Sequence, residues 1–192
     1  MLYRQGYNAT SVDDIVQAAG VSKSNFYYHY PSKEDLGIAV LTVRRDDLST
    51  LIAQTLHDST LTPTARMTAF LTSLLDVQES SLGRRGCPFG NLAAEMTEHS
   101  ERIRCFLSRL FSELSRDLSA VVAEGQRTRE FRCDVDPVEV GSFMVQVIQG
   151  MHLILKCDKD PGPVRLTGSL LVDLLRHTGQ GCCAVQELPG SL

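Results

Sequence analysis

Ser22, Lys23, Ser24 and Asn25 follow closely on Gly20, and Tyr27, Tyr28 and His29 come directly after them. Polar residues at the start of a short helix present hydroxyl, amide and ammonium donors. They do so beside backbone N–H groups at the positive end of the helix dipole, an arrangement suited to phosphate. The same donor types read base edges in a groove of DNA. Phe26 is the apolar residue in this run and is predicted to anchor the helix on Ile15 and Ala19. Lys33 opens the next helix, where a cation opposes the dipole; a neighbouring phosphate would explain it. Catalytic chemistry finds no comparable grouping. His29, His57, His99, His152 and His177 never fall in H-x-x-x-H or H-E-x-x-H spacing, and there is no G-x-S-x-G or Walker glycine loop. The six cysteines include no C-x-x-C pair, so they read as small buried hydrophobes or tail residues. The reading is of a non-enzyme with no catalytic residues, no cofactor and no metal site.

The elements that must position these residues are helical nearly throughout, because apolar residues recur at three and four rather than two. Thr10 with Asp13 is read as the cap of a helix over 11–19, Gly20 as a tight turn, and Ser22 as the cap of a helix reaching residue 28. Ser32 with Asp35 caps a long helix over 33–57, interrupted by the polar waist Arg44-Arg45-Asp46-Asp47. Further helices are predicted over 62–80, 88–96, 103–125, 137–157 and 164–177, with 126–134 and 158–163 as loops. A helix, tight turn and short helix over 10–28 is helix-turn-helix geometry, in which the second helix enters the major groove of DNA.

Composition bounds the partners. The 192 residues are 43% hydrophobic and 22% charged with a net charge of −4, which excludes a globally basic nucleic-acid binder but not a local DNA-binding face. Residues 1–33 hold three cations against two carboxylates, so charge alone does not mark such a face. The longest uncharged apolar stretch, 140–155, contains Gln146, Gln149, Gly150 and His152 and falls short of the ~18–20 apolar residues of a span. No apolar signal segment follows Met1. The expectation is a cytoplasmic protein with no membrane partner.

The run Gly6-Tyr7-Asn8-Ala9-Thr10-Ser11-Val12-Asp13-Asp14-Ile15, followed by Ala18-Ala19-Gly20-Val21-Ser22-Lys23-Ser24-Asn25-Phe26-Tyr27-Tyr28-His29-Tyr30-Pro31-Ser32-Lys33-Glu34-Asp35-Leu36, closely resembles the DNA-binding domain of the TetR family of transcriptional regulators. The resemblance implies an all-α fold with an N-terminal three-helix helix-turn-helix headpiece and a C-terminal helical bundle for ligand binding and dimerisation. It implies a homodimer on palindromic operator DNA, a repressor released by a small molecule. Ser22, Lys23, Ser24, Asn25, Tyr27, Tyr28 and His29 would line the DNA, with Lys33 on a phosphate and Thr10 capping helix two near the backbone. Domains are expected at 1–45 and 46–178, with a disordered tail at 179–192. Helix one is shorter than the family's. That leaves the alternative of a small-molecule-binding helical dimer with impaired DNA binding, its Ile15, Phe26 and Leu36 less well covered.

The segment Arg85-Gly86-Cys87-Pro88-Phe89-Gly90-Asn91-Leu92-Ala93-Ala94-Glu95 also looks like one branch of that family, where it starts a helix beside the ligand cavity. Asn91 and Glu95, one turn apart, are the candidate polar contacts, with Cys87 and Phe89 at the edge. Phe70, Leu74, Phe106, Leu110, Met144 and Ile148 are candidate walls. The expected ligand is small and mostly apolar, with a hydroxyl, amine or cationic end for Glu95. Cys87 as a thiol sensor is a lesser reading. The helix over 137–157 is apolar on more than one face, so it and the helix over 164–177 should form the dimer, with Gly141 and Gly150 allowing close approach and Met151 in the interface.

Overall fold

The structure, a computed structural model, describes residues 1–80 and 83–176. Among these the fold is all-α: α1 (Leu2–Gln5), α2 (Val12–Ala19), α3 (Lys23–His29), α4 (Lys33–Gln54), α5 (Pro63–Ser80), α6 (Pro88–Met96), α7 (Glu101–Arg127), α8 (Pro137–Asp158) and α9 (Gly162–Leu175). The expected tail at 179–192, with His177, Cys182 and Cys183, lies outside the described residues.

Most helix starts follow from side-chain caps. Ser22, Ser32 and Ser100 accept from the backbone N–H three residues on, and Asp136 accepts from Val138 and Glu139. Thr62 Oγ1 accepts from Ala65 ahead of Pro63 at the first helical position. The exception to the sequence reading is α2, which is capped by Ser11 through a reciprocal capping box with Asp14, not by Thr10 with Asp13. Gly20 then closes α2 in the left-handed region at φ 66°, as expected of that turn.

Helix α4 runs unbroken through residues 45 and 46, so no linker separates headpiece from body. It ends at Gln54 rather than His57, while α7 continues to Arg127 rather than Gly125. The main core joins Ile52 and Leu56 to Phe70, Leu118, Met144 and Leu171, drawing on α4, α5, α7, α8 and α9. A second cluster joins Tyr7 and Leu41 to Phe89, Met96, Ile103 and Leu107, tying the headpiece to α6 and α7. The segment after α7, read as a polar loop, carries a fully buried Phe131, whose ring lies against Gly125. Gly141 sits on α7, where an added Cβ would lie 2.1 Å from Ser119 Oγ; Gly150 faces open space.

By length and composition α8 is apolar enough to cross a membrane, longer than the uncharged stretch suggested. One face of it, including Val140, Met144, Ile148 and Leu155, is buried in the bundle. The other leaves Phe143, Leu153 and Ile154 exposed, and α9 adds Leu166, Leu170 and Leu174. Met151 belongs to the buried face, packed with Leu75, Leu155 and Val164, and so is a core residue rather than an interface residue.

Candidate DNA-binding face and effector cavity

Helix α3 presents its polar residues outward. Lys23, Ser24, Asn25 and His29 are exposed, and Tyr27 and Tyr28 are 51% and 83% exposed. Phe26, on the opposite face, is 5% exposed and packs with the Tyr30 ring at 5.9 Å. Ile15 and Leu36 are half-buried and open onto a groove of about 520 Å³ beside α1; Ala19 is exposed. Lys23 pairs with Asp13 of α2 at 2.6 Å, a contact exposed enough to yield to a phosphate. Ser22 spends its hydroxyl on the Asn25 N–H as a cap, which sets the direction in which α3 projects.

Two expected DNA contacts are placed differently. Thr10 has no exposed surface, and its hydroxyl donates to Gly6 O at 2.7 Å; the side chain locks the loop before α2 and cannot line DNA. Lys33 is half-buried, its Nζ 4.2 Å above the Tyr7 ring, and desolvation holds its pKa below the ordinary lysine value. A phosphate would have to share that ammonium with the ring.

The proposed polar pair of the ligand site also lies elsewhere. Glu95 faces the headpiece: its Oε2 accepts from Asn8 N at 2.8 Å and its backbone O from Asn8 Nδ2 at 3.3 Å. Asn91 donates to Arg85 O and accepts from Lys156 Nζ, each at 2.9 Å. Both border the groove beside α1, not the interior of the bundle. For Glu95 the cause is the loop before α2, which reaches across to it, whereas Asn91 is engaged by Arg85 and Lys156. A second joint lies next to it. Ser100 donates to Glu34, and Arg102 pairs with Glu34 at 3.2 Å and Asp35 at 3.0 Å, holding the start of α4 on α7.

Inside the bundle a cavity of about 110 Å³ lies between α4, α5, α6, α7 and α8. Of the candidate walls, Leu74, Leu110 and Ile148 line it, as do the expected edge residues Cys87 and Phe89. Phe70 and Met144 do not: both are fully buried in the main core. Phe106 packs on the second cluster instead. Leu48 and Leu51 of α4 complete the apolar wall, and Arg44 and Asp47, paired at 3.1 Å, also border it. The cavity's uncharged polar side chains are Gln78, Gln149 and His152, none of them among the candidate ligand residues read from the sequence. The signal was present. Gln78 continues the α5 stripe of Leu71, Leu74 and Leu75, and His152 falls between Ile148 and Leu155 on α8. A polar residue in an apolar stripe is a buried polar residue.

Gly86 ties this wall together. Its carbonyl accepts from the Tyr3 hydroxyl and from Gln78 Nε2. Its φ is +83°, and a Cβ there would lie 3.2 Å from His152 O, so glycine lets the loop reach α8. Cys87 is buried and burial pushes its thiol pKa up, which keeps it protonated and disfavours the reactive-sensor reading. Cys105 and Cys157 are exposed, contrary to the expectation of buried cysteines.

Burial pushes the His152 pKa down to about 4, the Ile148 backbone offsetting this only in part. The unfolded chain therefore takes up a proton near pH 6.5 that the folded one refuses until about pH 4. Stability from this residue is whole above pH 6.5 and lost as the pH falls toward 4. Urea melts should show wild type losing about 2–3 kcal/mol more than His152→Phe between pH 7 and 4.5. Parallel pH dependences would mean that the imidazole is not held neutral.

A capped three-helix headpiece with an exposed recognition helix, continuous with a helical body that holds a small, partly open cavity, defines a helix-turn-helix transcriptional regulator with an effector domain. Residues 1–40 match the family described as bacterial regulatory proteins, tetR family, and residues 63–169 match the tetracyclin repressor-like C-terminal domain. The chain belongs to the TetR family of transcriptional regulators. It is 31% identical over 160 residues to the HTH-type transcriptional repressor DhaR of Mycobacterium sp. (strain GP1), covering 83% of this chain and 79% of that one. It is 29% identical over 163 residues to the transcriptional regulator AcuR of Cereibacter sphaeroides, covering 85% and 74%. Among solved structures, a regulatory protein TetR from Rhodobacter sphaeroides superposes with a TM-score of 0.83 at 27% identity, over 91% of this chain and 92% of that one.

Proposed function

We propose that this protein is a cytoplasmic, homodimeric repressor. The two α3 helices of the dimer read a palindromic operator through Lys23, Ser24, Asn25, Tyr27, Tyr28 and His29, and a small ligand in the α4–α8 cavity releases the DNA. Functionally, residues 1–45 serve as the DNA-binding part and 46–178 as the effector and dimerisation part. One observation carries the reading: the cavity touches two helices, α4 and α6, that connect directly to the headpiece. Arg44, Asp47, Leu48 and Leu51 of α4 line it, and the same helix begins at Lys33, beside the end of α3. Cys87, Pro88 and Phe89 at the start of α6 line it too, and Glu95 near the other end of α6 holds Asn8. A molecule that displaces these walls moves the supports of α3. Family membership and the repressor relative support the same reading.

The test needs no ligand. Leu74→Trp places extra volume in the cavity and mimics occupancy. Operator affinity should fall within the roughly 5–150-fold range of allosteric coupling, while helicity by circular dichroism is retained. In a Glu95→Ala background the same substitution should cost much less, because one of the connections to the headpiece is gone. A folded Leu74→Trp protein that binds operator like wild type would refute the coupling.

A further inference from the structure

Among the described residues, two buried side-chain polar atoms have no hydrogen-bond partner, and both belong to residues lining the α4–α8 cavity: Gln78 Oε1 and His152 Nδ1. Gln78 is 2% exposed and His152 is 5% exposed. Buried polar groups in native proteins are nearly always paired, so two exceptions on one cavity wall call for a physical cause.

The orientation of the Gln78 amide is set by its neighbours. Nε2 donates to Gly86 O at 2.9 Å, and turning the amide over would put Oε1 against that carbonyl. Oε1 is therefore left as an acceptor awaiting a donor. The His152 ring is neutral in this environment, so it carries one N–H and one lone pair and presents no charge. The remaining wall is mostly apolar, including Leu48, Leu51, Leu110 and Phe111. The charged residues bordering it, Arg44 and Asp47, pair with each other and leave no unbalanced charge to hold an ion. The volume of about 110 Å³ is somewhat below the roughly 150 Å³ of a cavity that admits benzene, so the part of an occupant seated in it has about four to six non-hydrogen atoms.

We infer that the effector is a small uncharged molecule, an apolar body bearing a hydroxyl that donates to Gln78 Oε1 and pairs with His152 Nδ1. The inference rests on the effector-cavity reading above and adds the chemical class. A hydroxyl is suited to this wall because it offers a donor and an acceptor on one atom and needs no counter-charge.

Calorimetry on the full chain with four probes of similar size tests it: cyclopentanol, cyclopentane, cyclopentylammonium and cyclopropanecarboxylate. Cyclopentanol should bind saturably and roughly tenfold or more tighter than each of the others, as expected when a partner completes an otherwise unpaired buried group. Gln78→Leu should bring cyclopentanol and cyclopentane to within about threefold of each other, cyclopentane still binding. His152→Phe should narrow the same gap and serves if the first variant does not fold. Equal binding of cyclopentane and cyclopentanol by wild type would overturn the hydroxyl subsite while leaving the cavity an effector site. Tighter binding of either ion would overturn it as well. Binding of none of the four would overturn both this inference and the effector-cavity reading.

Discussion

Leu170→Glu should convert the protein to a monomer at micromolar concentration without unfolding it. Leu170 is 57% exposed and shares a face of α9 with Leu166 and Leu174 at intervals of four, while α8 leaves Phe143, Leu153 and Ile154 exposed. A carboxylate there is harmless in a lone chain. In a two-fold dimer the same patch faces its copy, so two carboxylates are brought together and stripped of water. Operator affinity should drop roughly 10²–10⁴-fold, since a dimer gains that much from tethering its second half-site. Sedimentation velocity reads the first effect and fluorescence anisotropy on operator DNA the second. A Leu170→Glu protein that sediments as a dimer would place the interface elsewhere. Met151→Glu, which the sequence alone favours, would instead bury a charge among Leu75, Leu155 and Val164 and is expected to unfold the bundle.

Asn25→Ala should leave thermal stability unchanged and relax base preference at one position of each half-site. The side chain is exposed and its cap contact is made by the backbone, so folding loses little. A bidentate amide contact to a base edge carries about 1–3 kcal/mol of discrimination, so selectivity at that position should fall roughly 5–150-fold. Lys33→Ala should behave differently. It should weaken every sequence by a similar factor and flatten the salt dependence, because a phosphate contact holds no base information. It should also cost a little stability through the lost Tyr7 contact. Competition binding against single-base operator variants at two salt concentrations separates the two. Unchanged preference in Asn25→Ala would remove that residue from base readout.

The headpiece was legible because its signals are local. Ser22, Ser32 and Gly20 act within a few residues of themselves, and the structure uses all three as the sequence suggests. The error at Thr10 is instructive: Thr10–Asp13 and Ser11–Asp14 are equivalent capping patterns, and what separates them is the Thr10 hydroxyl turning back to Gly6. The candidate effector site was less legible because it depends on which face of α6 meets which neighbour. Asn91 and Glu95 do share a face, but the loop at Asn8 covers it, and nothing in a helical period records that approach. The same holds for α8, whose apolar residues surround it; periodicity could not say that Met151 turns inward while Leu153 and Ile154 turn outward. Gln78 and His152 were visible as interruptions of apolar stripes, a pattern that marks burial and, here, a cavity wall.

The proposed coupling would run through the headpiece joints. Asn8–Glu95, and Glu34 and Asp35 with Ser100 and Arg102, are polar contacts between the DNA-reading unit and the ends of α6 and α7. Each is partly exposed and modest in strength, as suits contacts that must exchange between two arrangements rather than fix one.

Whether a dimer reads DNA through two α3 helices is decided by hydroxyl-radical footprinting of the protein on sequences selected from a random DNA pool. The expected result is an inverted repeat protected as two half-sites, their centres about 34–36 Å apart in successive major grooves. A single protected half-site at saturating protein, or no sequence enriched over the starting pool, would contradict it.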